Sequence, residues 1–154
     1  MRVYPVFIEQ QAQLGATHMA IITYADLTAA TNTQTLASLI TQKASVMGVR
    51  VTNAVIVQPF VSSDATLIST AFTVGDAGSN NRYLTSLETN AAAATPAVAG
   101  EGANGVLAEN ASYYATADTA VNAYVTATTG KLLNTHTAGY LLVFFEVTDN
   151  RFQG

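Results

Sequence analysis

The chain reads as an all-β protein, an antiparallel β-sandwich of jelly-roll-like form with at most one or two short helices. Three observations predict this. Short runs of alternating apolar and polar residues recur from Thr17 onward, and Gly, Asp and Asn clusters punctuate them with almost no helical period between. The third is residues 138–147, Ala-Gly-Tyr-Leu-Leu-Val-Phe-Phe-Glu-Val, the strongest strand signal in the sequence. Side chains on a strand alternate between its faces. Leu141, Val143, Phe145 and Val147 therefore share one face, and Tyr140, Leu142, Phe144 and Glu146 the other. The first face belongs in a core. The second is too apolar for an ordinary half-exposed strand, so either more of this chain or another molecule covers it.

Composition narrows the function classes. The 154 residues suffice for one domain with a real core, and charged residues make up only 10% of them. That is far below the roughly 25% usual for soluble domains. Thr, Ala and Asn take the place of Lys and Glu, as in a protein that lives inside an assembly. A net charge of −4, with Arg2, Lys43, Arg50, Arg82, Lys131 and Arg151 scattered, speaks against nucleic-acid binding. There is no cysteine, hence no disulfide framework and no thiolate metal site. No window approaches the roughly 18 apolar residues of a membrane helix. Glu9-Gln10-Gln11 interrupts the first apolar run, so no secretory signal is expected. The chain reads as soluble and made in the cytoplasm.

Residues 1–16 form an edge strand or an extended arm: Val3, Tyr4, Val6, Phe7 and Ile8 are apolar, but Pro5 forbids a central strand position. From residue 17 to 154 a single β-sandwich domain is expected. Thr17 to Tyr24 is its first full strand, and Asp26 can cap the short turn after it. Thr35 to Thr41 has Leu36, Leu39 and Ile40 at helical spacing but the Thr content of a strand, and its neighbours favour strand. Gly48 to Val57 alternates, with Val49, Val51, Val55 and Val57 on one face, and Pro59 is expected to stop it. Ile68, Phe72 and Val74 define the next strand, which ends in the turn cluster of residues 75–81, where Asp76 and Arg82 can pair.

Thr85-Ser86-Leu87-Glu88 has capping-box spacing, which allows a short helix through the alanines at 91–94. The Ala- and Gly-rich stretch 90–105 reads as a flexible loop that buries too little area to offset its ordering entropy. Val121, Ala123, Val125 and Ala127 then alternate with Asn122, Tyr124, Thr126 and Thr128 as a half-buried strand.

Chemistry-bearing patterns are scarce. His18 and His136 are the only histidines and stand in no metal-ligand spacing. Ser62, Ser63 and Asp64 form no nucleophile elbow, and Gly75-Asp76-Ala77-Gly78 lacks the ending of a phosphate loop. Asp76, Asn80 and Asn81 carry oxygens but not the spacing of a calcium loop, and Asn110-Ala111-Ser112 is a common chance match to a glycosylation acceptor. No catalytic, cofactor-binding or metal-binding residue is assigned.

Several blocks resemble virion structural proteins of tailed bacteriophages. One is Phe72-Thr73-Val74-Gly75-Asp76-Ala77-Gly78-Ser79-Asn80-Asn81-Arg82-Tyr83-Leu84, a strand delivering a V-G-D-x-G turn, followed by Arg, an aromatic and Leu. Residues 120–128, 132–134 and 138–147 are similar to their closing hairpin, and so is Ile22-Thr23-Tyr24-Ala25-Asp26-Leu27 near the start. Such proteins include head decoration, or cement, proteins. The resemblance implies a non-enzymatic protein that coats and strengthens a capsid from outside as a homo-oligomer, a trimer rather than a dimer, with the major capsid protein as partner. It implies synthesis in the bacterial cytoplasm and no cofactor.

On this reading Tyr140, Leu142 and Phe144 are the candidate oligomer interface. Val3, Tyr4, Val6, Phe7 and Ile8 are the candidate capsid contact. Two alternatives stand beside it: a tail-associated virion protein, and a carbohydrate-binding or adhesive sandwich in which Tyr113, Tyr114 and Tyr124 stack on sugars.

Overall fold

The computed structural model describes residues 1–7, 10–11, 15–100 and 112–152. Among the described residues, nine strands carry the fold: β1 Arg2–Pro5, β2 His18–Thr23, β3 Thr33–Gln42, β4 Met47–Ser62, β5 Thr70–Asp76, β6 Ser79–Glu88, β7 Tyr113–Tyr114, β8 Thr119–Ala127 and β9 His136–Asp149. They form two antiparallel sheets, ordered β1-β2-β9-β4-β7 and β3-β8-β5-β6. Pairings β2 with β9, β3 with β8, β4 with β7 and β5 with β6 are all antiparallel. That is one long antiparallel ribbon of four strand pairs rolled up on itself, which is a jelly roll. The expected fold class is what the chain adopts.

The core lies between the sheets. Ala20, Ile22, Leu141, Val143 and Phe145 point into it from one side and Phe72, Val74, Val121, Ala123 and Val125 from the other, each at most 1% exposed. Phe60 and Phe72 meet across it with ring centroids 5.1 Å apart. β9 is the hub of its sheet, hydrogen-bonded to β2 on one side and β4 on the other. A strand in that position must be apolar inward for its whole length, and that explains its prominence in the sequence.

Bulges account for the local departures from expectation. Between Leu36 and Ile40, β3 slips against β8, so the buried Leu36 and Leu39 take helical spacing on a strand. Thr85-Ser86-Leu87-Glu88 is strand, not a helix start: β6 is bulged between Leu84 and Leu87, and both leucines are buried three residues apart. Glu88 does not close a capping box there. Its Oε1 accepts from the amides of Thr70, Thr89 and Asn90, and its Oε2 from the Ser69 hydroxyl.

β4 runs past Pro59, which has no N–H to give; the register steps around it from Gln58 opposite Tyr140 to Val61 opposite Ala138. An earlier slip between Val51 and Asn53 changes the strand's phase, so Val49, Val51, Ala54, Ile56 and Phe60 are buried while Val57 is exposed. Ile68 lies outside β5 and is 49% exposed. The amides of Ile68 and Ser69 bond the Thr128 hydroxyl instead of a ladder.

Candidate functional site

The inward and outward faces of β9 separate as its sequence requires. Leu141, Val143 and Phe145 are buried, whereas Tyr140, Leu142 and Phe144 stand half-exposed on the outer face of the five-stranded sheet. Register extends this face sideways. Phe144 lies beside Met19 of β2 and Asn53 of β4, and Leu142 lies between Ile21 and Val55. Tyr140 lies between Thr23 and Gln58. β1 adds Tyr4 beside Met19 and Arg2 beside Ile21.

The N-terminal residues divide between core and surface. β1 is the edge strand of this sheet, and Pro5 is tolerated because its other side carries no strand. Val3 packs against the core and Val6 is buried. Tyr4 and Phe7 project, 40% and 75% exposed. Ile8 lies outside the described residues. The two groups of candidate contact residues, apart in sequence, thus adjoin through the row Tyr4–Met19–Phe144. Between them opens an apolar groove of 410 Å³, lined by Tyr4, Phe7, Met19 and Phe144 with Pro5, Val6 and Gln10. Sequence reading missed Met19, Ile21 and Val55 because only strand pairing reveals their shared face.

Charge on this face is sparse: Arg2 in the β1 row, and one matched pair. Arg50 and Glu146 lie opposite each other across β4 and β9 and form an ion pair at 3.1 Å. Such an ion pair leaves the surface nearly neutral.

The remaining polar clusters serve the scaffold. At the β5–β6 turn, the Asp76 carboxylate accepts from the amides of Gly78 and Ser79 and from Arg82 Nε at 2.7 Å. Burial pushes that carboxyl up, but Arg82 and the two amides outweigh it and hold it below the ordinary carboxylate range. The Arg82 guanidinium sits 4.2 Å from the centre of the Tyr113 ring. Tyr83 donates to Gln42 Oε1, and Gln42 Nε2 donates to the carbonyls of Met47 and Tyr113. Burial, then the charge of Asp76, raises the Tyr83 phenol above its usual range.

The second cluster bridges the sheets at their other end. His136 is buried and its Nδ1–H donates to the Leu133 carbonyl at 2.7 Å, so Nε2 is the acceptor for the Thr70 hydroxyl at 2.8 Å. Asn90 donates to the same hydroxyl oxygen and to the Leu67 carbonyl, and accepts from the Ala92 amide. Every member has a partner, which is a structural arrangement. Asn90 also anchors the start of the stretch 90–105: its carbonyl accepts from Ala93 and Ala97, and the Gly100 amide bonds Ile56. Positions 101–105 lie outside the described residues.

The tyrosines form no common platform. Tyr113 packs under Arg82, the Tyr114 hydroxyl accepts from Asn150, and Tyr124 lies on the other sheet, in a polar groove with Thr35 and Asn80. Among the described residues, no group of three His, Asp or Glu side chains is placed to hold a metal ion. Among known proteins, no family model, no curated protein and no solved structure matches this chain.

Proposed function

We propose that this chain is a non-enzymatic structural protein of a phage virion, decorating and stabilising the capsid lattice as a homo-oligomer. The observation that carries the reading is the half-exposed apolar face around Tyr140, Leu142 and Phe144, on a chain with only 10% charged residues. A lone soluble domain gains nothing by leaving such a face in water, whereas a protein locked into an assembly buries it. The jelly roll supports the reading only in part, because capsid and carbohydrate-binding proteins share it.

Antibodies against the purified protein, used for immunogold microscopy of phage particles, test the proposal. Label spread over heads is the expected result. Label confined to tails would make it a tail-associated protein. Absence of label, together with specific binding on a glycan array that Tyr124→Ala abolishes, would replace the proposal with the carbohydrate-binding alternative.

A further inference from the structure

We infer that the outer face of the five-stranded sheet is a two-fold interface with a second copy of this chain, in which Phe7 of each protomer enters the other's groove. The inference deepens the proposed function and rests on its homo-oligomer. Phe7 is 75% exposed and lines the 410 Å³ groove together with Tyr4, Met19 and Phe144. One small patch therefore offers both a protruding ring and an apolar recess of a size to accept a ring. A two-fold contact joins a patch to its own copy, so projection and recess must lie side by side, as they do here. A ring of three would need them on different flanks of the protomer.

Of the charged side chains on the face, Arg50 and Glu146 neutralise each other at 3.1 Å, and Arg2 lies in the β1 row beside Ile21. Two copies can therefore meet without opposing blocks of like charge. The row Tyr4–Met19–Phe144 makes the N-terminal strand and the β9 strip one surface, so a single partner covers both. A consequence follows for the shell: Tyr4 and Phe7 are occupied by the second copy, so capsid contact falls to another surface.

Sedimentation equilibrium of the full chain tests this. The wild type should be a dimer at micromolar concentration. Phe7→Ser should weaken it by about a hundredfold or more, because the two-fold contact loses two buried aromatic rings. Phe7 is exposed, so this variant leaves the fold intact, and an unchanged circular dichroism spectrum verifies that. Thr126→Ser, on the opposite sheet, should leave the dimer unchanged. Because the chain has no cysteine, Phe7→Cys gives a single thiol. A short bismaleimide should join it into a covalent dimer, and should leave Thr126→Cys single.

A wild type that stays monomeric, a trimer, or a dimer indifferent to Phe7→Ser would overturn the inference. A trimer, or a dimer built elsewhere, would leave the decoration reading standing. Dimers with no label on virions would sink that reading and leave the interface.

Discussion

The ring of Phe60 fills the space beside Gly139, so close that a β-carbon there would come within 2.4 Å of two ring atoms. Phe60 is the β4 residue that meets Phe72 across the core, and Gly139 lies inside β9 with φ of +145°. Only glycine combines that backbone with that approach.

Gly139→Ala should therefore lower stability by about 2 kcal/mol or more, from the strained φ and the displaced ring together. Urea unfolding checks this through a lower midpoint with an unchanged slope. An unchanged midpoint would mean that the core yields at no cost.

Asp76 organises the β5–β6 turn and, through Arg82, the edge strand β7. Asp76→Asn keeps the shape but leaves the guanidinium without its counter-charge. The Arg82 side chain is 26% exposed, so solvent screens part of the loss. A destabilisation of about 1–3 kcal/mol is expected in chemical denaturation. Arg82→Lys should cost less against Asp76, while losing the planar contact with Tyr113.

Acid should destabilise the fold in two windows. Burial lowers the His136 pKa from its ordinary 6.5, against a smaller opposing effect of the Leu133 hydrogen bond. The unfolded chain thus takes up a proton that the folded one refuses. The stability is fully present above about pH 6.5 and is lost as pH falls from there through the folded-state value, by at most about 1.4 kcal/mol per pH unit. Asp76, whose carboxyl is held below its usual range, loses its contribution only below about pH 4. Melting temperature measured from pH 8 to 3 should show both declines. Replacing His136 with Gln should shrink the upper one to the share left by His18, whose pKa burial also lowers, and spare the lower.

Asn90 is 1% exposed and ties the stretch after β6 to both Leu67 and Thr70. Asn90→Ala should free residues 91–100 from β4 and cost about 1–3 kcal/mol in unsatisfied buried groups. Limited proteolysis followed by mass spectrometry should find cuts in that stretch in the variant well before the wild type. Equal cutting rates would show that Asn90 does not hold it.

The sequence alone determined the fold class and the two-faced character of β9, because alternation is a local property with a period of two. Tyr140, Leu142 and Phe144 were legible as an apolar outer strip for that reason, and so was the pairing of Asp76 with Arg82 across a short turn. Tertiary structure decided what that strip joins. Met19, Ile21 and Val55 reach it only through the register of β2 and β4 on β9, and Tyr4 only through the pairing of β1 with β2. The bulges were likewise hidden: one extra residue in β4 or β6 shifts the phase of every side chain beyond it, and no local pattern announces where it falls. A glycine stands at position 139 inside β9 because Phe60, 79 positions earlier, needs the space a side chain would fill. A strand's face is written in its own residues, but its neighbours are chosen by the whole chain.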